Sequence, residues 1–233
     1  MTNSSNLIDS LEVYVLNNPD DVKPHWVSHF IVPTANELLI KIKNKNGNSG
    51  FGLATSYSDI SPIIKPFSNG LQDFIIGQDP FCPEKIYESI SKLTDTRISS
   101  EKGWSKEALI RISAALDIAC WDLIGKLSNI PLYKLFGGYR NKIPVYVTCG
   151  YYREGKTETE LREEIKKLIK IGHQSFKVKV GGLTIKEDAK RLEIIRDVIG
   201  QDKALMIDVN RAWDLKTAIE GVEEFKKFNP AWI

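Results

Sequence analysis

Residues 175–182 read SFKVKVGG, a short apolar stretch with two lysines one residue apart, followed by paired glycines. Successive side chains of a β-strand point to opposite faces of the sheet. Lys177 and Lys179 therefore share one face of the predicted strand, and Phe176 and Val178 share the other. A solvated strand edge accommodates such a lysine pair easily, whereas a buried pair needs a functional reason. The sequence on either side decides between these alternatives.

A repeat of strand and helix surrounds this stretch and begins after Arg140. AWI at the end of the sequence predicts the start of a fourth strand, and three earlier segments predict strands: IPVYVTCG, SFKVKV and ALMIDVN. Thr157 and Thr184, each followed three residues later by glutamate, predict capping boxes for two helices. Asp214 predicts the N-cap of a third helix. That helix is expected to carry an apolar stripe: Leu215, Ile219, Val222 and Phe225.

Such a βα repeat predicts a parallel sheet, either an open doubly wound sheet or a (β/α)8 barrel. Near the C-terminal ends of two strands, polar residues at alternate positions share one face of the sheet. They are Lys177 and Lys179 in one strand and Asp208 and Asn210 in the next. In a doubly wound sheet, helices cover both faces and the strands are apolar throughout. In a barrel, these side chains point inward near the C-terminal mouth, where active sites of this architecture lie. The sequence therefore predicts a barrel.

The first 140 residues follow a different pattern. Four segments predict strands: LEVYVL at 11–16, WVSHFIV at 26–32, ELLIKIK at 37–43 and FGLATSY at 51–57. Helical periodicity follows from about residue 82, and its strongest stretch, 106–125, carries an apolar stripe. Strands followed by helices predict an α+β domain. We therefore expect an N-terminal α+β capping domain at 1–140. The start of a barrel, three βα units and the beginning of strand four, is expected at 141–233.

Composition narrows the classes of function. The chain has 32 basic and 30 acidic residues, a formal charge of +2, and no basic block of the kind that follows phosphates. We therefore expect no nucleic-acid partner. The N-terminal residues MTNSSNLIDS lack a basic-then-apolar signal, and no apolar run approaches membrane-spanning length. We expect a cytoplasmic protein that does not associate with membranes.

The polar residues at the strand ends have the chemistry of a proton-transfer site. On neighbouring strands, Lys177, Lys179, Asp208 and Asn210 can converge on one pocket. A free lysine has a pKa of about 10.4 and is a poor base at neutral pH, but a second ammonium group and a nearby divalent cation both favour a neutral amine. Asp208 offers a hard oxygen ligand that suits Mg²⁺. These residue types predict removal of a proton from the carbon beside a carboxylate.

Three motifs in this order resemble the mandelate racemase and muconate lactonizing enzyme group of the enolase superfamily, over essentially the whole chain. They are AALDIACWDLIGKLSNIPLYKLFGG at 114–138, SFKVKVGG at 175–182 and LMIDVNRAW at 205–213. The resemblance implies that Lys179 is the catalytic base and that Lys177 assists it. It implies that Asp208 is the first Mg²⁺ ligand and that Asn210 contacts the substrate. It also implies a loop over the active site in NNPDDVKPHW, residues 17–26.

By the same resemblance, the function is Mg²⁺-dependent abstraction of the proton α to a carboxylate through an enediolate intermediate. LMIDVNRAW favours a racemase or sugar-acid dehydratase of the mandelate racemase type. The alternatives are a muconate-lactonizing or epimerase-type member, and a catalytically incomplete remnant with only an interaction or structural role. We expect a small carboxylate substrate, and a homo-oligomer for the full-length protein.

Length implies an incomplete barrel. A complete barrel takes about 250 residues, whereas 93 residues follow Arg140 (233 − 140). The two remaining metal ligands and the partner acid/base of the family are expected beyond Ile233. We therefore expect the front part of an enzyme, with a truncated barrel, and no activity from the 233-residue chain alone.

Overall fold

The computed structural model describes residues 4–17, 23–32, 36–56 and 59–233. In chain order, the strands are β1 (Ile8–Leu16), β2 (His25–Trp26), β3 (Ile31–Val32), β4 (Asn36–Asn44), β5 (Ser49–Ser56), β6 (Val147–Cys149), β7 (Ser175–Lys179) and β8 (Ala204–Asp208). The α-helices are α1 (Ser61–Ser68), α2 (Pro83–Lys92), α3 (Arg97–Lys102), α4 (Lys106–Ser128), α5 (Leu132–Leu135), α6 (Glu158–Ile171), α7 (Ile185–Ile199) and α8 (Leu215–Phe225). Short 3₁₀ helices span Leu71–Phe74, Leu93–Asp95 and Lys226–Phe228.

The described chain divides into two compact units. The first contains the described residues up to 142 except 23–32, and the second contains 23–32 and 143–233. The prediction placed the boundary after residue 140 and assigned 23–32 to the first domain. Backbone hydrogen bonds explain why that segment is grouped with the second unit. The Trp26 N–H donates to the Tyr152 carbonyl over 3.0 Å, and the Tyr152 N–H donates back over 3.1 Å.

The first unit is an antiparallel sheet covered by the long helix α4. The sheet has the order β1-β4-β5, and alternate residues of β4 are fully buried: Leu38, Ile40 and Ile42. The predicted stripe of α4 is also buried: Leu109, Ile112, Leu116, Cys120 and Ile124. Two glycines of β5 let the helix backbone approach the sheet closely. A Cβ at Gly52 would lie 1.8 Å from the Ala115 carbonyl oxygen, and one at Gly50 would lie 2.0 Å from that of Ala119.

Two predictions about the first half of the chain need correction. Helical structure begins at Ser61, before residue 82. The helix α1 buries Ile63 and Phe67, and the proline in its first turn is tolerated because an N–H there needs no partner. WVSHFIV is not one strand. It forms a hairpin in which β2 pairs with β3, closed by a hydrogen bond from the Val27 N–H to the Phe30 carbonyl. The predicted strand at 51–57 ends at Ser56 within the described residues, and 18–22 of the expected loop lie outside them.

The main sheet of the second unit is parallel, ordered β6-β7-β8, with helices on one face. Phe176, Val178 and Val180 are fully buried on the helix side, in one core with residues of α6 and α7. Lys177 and Lys179, at the alternate positions of β7, lie on the opposite face of the sheet. The predicted fourth strand begins where Met206 pairs with Trp232 in parallel, supported by a hydrogen bond from the Ile207 N–H to the Trp232 carbonyl (3.0 Å).

The predicted helix caps of this unit are present. Thr157 with Glu160, and Thr184 with Glu187, form complete capping boxes, and the Asp214 carboxylate accepts from the Thr217 N–H over 2.8 Å. The apolar stripe predicted for α8 is mostly exposed. Phe225 is buried, but three residues are exposed: Leu215 (78%), Ile219 (58%) and Val222 (44%). The helix packs instead through Gly221, where a Cβ would lie 2.3 Å from the Trp213 ring. In the described ranges, no helix is both long enough and apolar enough to cross a membrane.

Candidate active site

Strands β7 and β8 bring the four predicted site residues together. Lys179 is opposite Asp208 in the parallel register. Its Nζ donates to Asp208 Oδ2 and to Asn210 Oδ1, each over 2.8 Å. Lys177 Nζ lies 3.2 Å from the same Asp208 Oδ2. Two ammonium groups, one carboxylate and one carboxamide therefore form a single cluster at the C-terminal ends of two neighbouring strands.

Burial makes this cluster more than a solvated strand edge. Lys179 is only 7% exposed, and the side chains of Lys177 and Asp208 are 17% and 23% exposed. A buried charge is costly unless it is paired and hydrogen-bonded, so the three charges depend on one another. Removing Asp208 would leave two neighbouring ammonium groups without their shared carboxylate in a partly dry site.

The electrostatic environment keeps Asp208 ionised. Burial raises the pKa of Asp208, but hydrogen bonds from Lys179, from the Asn210 N–H and from Lys177 outweigh it and hold the pKa below its ordinary value. Asp208 is therefore a carboxylate at neutral pH. That is the form in which an aspartate binds a divalent cation.

A left-handed backbone turn places the Asn210 side chain. Asn210 and Arg211 have φ of 53° and 65°, a region that non-glycine residues rarely adopt. The Asn210 N–H donates to Asp208 Oδ1 over 2.9 Å, which ties this turn to the carboxylate. Each such residue costs roughly 1 kcal/mol or more. Backbone strain of this kind is concentrated at functional sites, and here it begins two residues after a predicted metal ligand.

Tyr146 is a neighbour that the prediction missed. Lys177 Nζ lies 5.3 Å from the centre of the Tyr146 ring, within the range of a cation–π contact. The Tyr146 ring also meets that of Trp232 edge to face at 6.2 Å. The signal was present in the sequence, because Tyr146 and Thr148 have the same parity and Thr148 pairs with Lys177. Tyr146 therefore borders Lys177.

A cavity of about 420 Å³ opens beside the cluster and is lined in part by Asp208, Asn210, Arg211 and Trp232. It gives Asp208 and Asn210 access to a small molecule. A second cavity, of about 470 Å³, lies on the helix side between the first turns of α6 and α7 and includes none of the four predicted residues. We therefore locate the candidate active site at the strand ends.

Asp208 can serve as one of several oxygen ligands of a Mg²⁺ ion. Asp208 provides a hard, ionised oxygen ligand at the edge of the cavity. In the described part of the chain, no group of three or more His, Cys, Asp or Glu side chains is placed to hold a metal. One carboxylate holds Mg²⁺ poorly, since the ion gives up its water reluctantly. Further oxygen ligands are needed to complete such a site.

Comparison with known families covers most of the chain. Residues 10–137 match the family described as mandelate racemase / muconate lactonizing enzyme, N-terminal domain. Residues 160–233 match the family described as enolase C-terminal domain-like. The first match alone covers more than half of the chain, and the candidate site lies within the second.

Individual relatives agree with these matches. The arabinonate dehydratase of Saccharolobus solfataricus is 31% identical over 183 residues, which are 78% of this chain and 48% of that enzyme. The L-Ala-D/L-Glu epimerase of Clostridium acetobutylicum is 32% identical over 209 residues, 88% of this chain and 54% of that enzyme. The chain thus spans about half the length of the curated relatives it matches.

Solved structures show the same fold. The crystal structure of a racemase from Streptomyces coelicolor A3(2) with bound magnesium has 26% sequence identity and a TM-score of 0.83. The similarity covers 97% of this chain and 62% of that one. The predicted fold, an α+β capping domain followed by the first βα units of a truncated (β/α)8 barrel, is confirmed. The chain belongs to the mandelate racemase and muconate lactonizing enzyme group of the enolase superfamily.

Proposed function

We propose that the full-length protein containing this chain catalyses Mg²⁺-dependent abstraction of the proton α to a carboxylate, leading to racemisation or dehydration of a hydroxy acid. One observation carries the proposal: Lys179 Nζ lies 2.8 Å from both Asp208 and Asn210 at adjacent strand ends. A proton acceptor and a hard metal ligand are therefore side by side, and Asp208 and Asn210 line an accessible cavity. Relatives that are dehydratases and epimerases support the same chemistry.

Lys179 serves as the base. In its neutral form, its Nζ takes the α proton while the electrons of the broken C–H bond move into the carboxylate and form an enediolate. As a neutral amine, Lys179 keeps two N–H groups, so it can still donate to Asp208 and Asn210 while its lone pair accepts the α proton. Lys177 then supplies a positive charge on the same face of β7.

Asp208 would hold Mg²⁺, together with oxygen ligands expected beyond Ile233. A divalent cation bound there stabilises negative charge on the substrate carboxylate. Asn210, on its left-handed turn, would contact and orient the substrate with its carboxamide. The strained turn fixes that carboxamide before the substrate arrives, so little ordering remains to be done on binding.

The fate of the enediolate separates the members of this group. Racemisation returns a proton to the opposite face of the α carbon, and dehydration expels the β-hydroxyl as water. The LMIDVNRAW segment favours the racemase and dehydratase branch. A dehydratase relative and an epimerase relative have nearly equal identity, 31% and 32%, so the epimerase-type reaction is the alternative that the experiment must separate.

The experiment is a substrate screen of the full-length protein in D₂O with Mg²⁺. Acid sugars form one arm, and dipeptides with N-acylated amino acids form the other. We expect deuterium at the α carbon, or loss of water, for at least one acid sugar, and no reaction when Mg²⁺ is removed with a chelator. Exchange only with dipeptides or N-acylated amino acids would indicate an epimerase-type reaction instead. Absence of exchange in both arms would contradict the proposed chemistry.

A further inference from the structure

A charged pair on α7 lies on the helix side of β7. Asp188 is fully buried, and the Arg191 side chain is only 15% exposed. Arg191 Nη1 and Asp188 Oδ1 are 2.6 Å apart. Buried ion pairs often contribute little net stability, because desolvation offsets their attraction. What these two side chains hold in place is therefore more informative than the pair itself.

Arg191 joins the ends of two strands. Its Nη1 donates to the Lys179 carbonyl over 3.1 Å, and its Nη2 donates to the Gly150 carbonyl. Pairing between β6 and β7 stops at Cys149 opposite Val178. The guanidinium thus bridges the two strands just beyond their last pair, where their own hydrogen bonds have ended.

Asp188 and Tyr152 hold the turn that follows Lys179. The Gly181 N–H donates to Asp188 Oδ2 over 2.7 Å, and the Gly182 N–H donates to the Tyr152 hydroxyl over 3.0 Å. That hydroxyl donates to Asp188 Oδ1 over 2.7 Å. Burial raises the pKa of Tyr152, so the hydroxyl stays protonated and can donate. The ring lies so close that a Cβ at Gly182 would be 2.7 Å from it.

Segment 23–32 completes the enclosure of this turn. The Ser28 hydroxyl donates to the Val180 carbonyl over 2.8 Å, and the Val180 N–H donates to the Asp208 carbonyl over 3.1 Å. The backbone from Lys179 to Gly182 therefore has a fixed partner at each residue. A long lysine side chain reaches a defined position only if its Cα is fixed.

We propose that Asp188, Arg191 and Tyr152, the strand-end clamp, position Lys179 for proton abstraction by fixing its carbonyl and the turn after it. None of the three is in the Lys177, Lys179, Asp208 and Asn210 cluster, so they are positioning residues. The proposal rests on the proposed function for the role of Lys179. Its structural part, the fixed backbone of 179–182, can be tested independently.

Arg196 provides a matched control on the same helix. It is 7% exposed, and its guanidinium donates to the carbonyls of Gly200, Lys203, Phe228 and Asn229. Those carbonyls precede β8 and the fourth strand, so they lie at the N-terminal ends of the strands, whereas Lys179 lies at the C-terminal end of β7. Among the described residues, Arg196 makes five hydrogen bonds to carbonyl groups, whereas Arg191 makes two to carbonyls and one to Asp188. Loss of either arginine therefore removes buried hydrogen bonds, but only Arg191 touches the end of β7.

The test compares Arg191→Met with Arg196→Met in the full-length protein, with Tyr152→Phe as a second clamp variant that removes one hydroxyl. Amide hydrogen exchange of residues 180–182 measures the clamp directly. We expect it to accelerate about tenfold or more in Arg191→Met, to accelerate less in Tyr152→Phe, and to stay near wild type in Arg196→Met. Equal exchange at 180–182 in the two arginine variants, or wild-type exchange in Tyr152→Phe, would overturn the proposal.

Proton exchange at the substrate α carbon gives the second readout. We expect Arg191→Met to lower its rate by about 100-fold, the scale of a small displacement of a catalytic group, with KM changed much less. Arg196→Met should retain the wild-type rate when the variants are compared at equal folded fraction. A rate in Arg191→Met equal to that in Arg196→Met would overturn the positioning role. If the wild-type protein exchanges no α proton, the proposed function fails, and amide exchange alone decides the clamp.

Discussion

Lys179 is held by two oxygen acceptors from the next strand, and this arrangement defines the site at the scale of single residues. Asp208 and Asn210 accept from its ammonium group over equal distances of 2.8 Å. Lys177 shares the Asp208 oxygen. The carboxylate is therefore the residue on which both lysines depend, and its replacement should affect metal binding more than folding.

We expect Asp208→Asn in the full-length protein to weaken Mg²⁺ binding by about 100-fold or more, since changes to outer-shell partners alone cost 10–100-fold. The fold should persist with lower stability, because Lys177 and Lys179 lose their shared carboxylate while a carboxamide of similar size retains the packing. Calorimetric titration with Mg²⁺ measures the effect. Asp202→Asn, at an exposed position just before β8, is the matched control and should bind Mg²⁺ as the wild type does. Equal affinity in the two variants would remove Asp208 from the ligand set.

At the scale of elements, helix caps are the features that local sequence predicts best. A capping box depends on residues three positions apart, so Thr157 with Glu160 and Thr184 with Glu187 could be recognised without knowing the fold. The strand pair β2 and β3 shows the limit of such patterns. WVSHFIV has the composition of a strand, but its centre turns at Val27–Phe30 and its ends pair with each other.

We expect Thr157→Ala to lower the free energy of unfolding of the full-length protein by about 1 kcal/mol, the usual cost of losing an N-cap side chain. Thr159 lies exposed in the same helical turn, so Thr159→Ala is the control. It should change stability by less than about 0.5 kcal/mol, since alanine is the better helix former. Denaturant unfolding compares the two variants. Equal losses would mean that the cap contributes nothing to stability.

At the scale of the whole molecule, the convergence of Lys177, Lys179, Asp208 and Asn210 follows from strand parity and the order of a parallel sheet. Both are readable from sequence. The strand-end clamp was not predicted, because Asp188 and Arg191 on an amphipathic helix look like solvent-facing charges. Only the tertiary fold shows that they reach the carbonyl and amide groups at the end of β7. The strained turn at Asn210 was missed for a related reason, since composition alone does not reveal positive φ at a non-glycine residue.

The exposed face of α8 leads to a prediction for the 233-residue chain expressed alone. Leu215 and Ile219 are 78% and 58% exposed, one helical turn apart. Exposed apolar patches promote association. We expect this chain to be inactive and to elute as an oligomer or aggregate in size-exclusion chromatography. Leu215→Glu with Ile219→Lys should increase the monomeric fraction, whereas Lys216→Glu, also exposed, should not. A wild-type chain that is a stable, active monomer would contradict this expectation.

Solvent-deuterium incorporation into substrate measures most directly whether Lys179 removes the α proton. In the full-length protein with Mg²⁺, we expect Lys179→Ala to abolish incorporation on the face that the lysine serves, while Mg²⁺ affinity is retained because an ammonium group is not a ligand. Lys186→Ala, at an exposed lysine on α7, should incorporate deuterium at the wild-type rate. Incorporation by Lys179→Ala at a rate near that of the wild type would contradict the account.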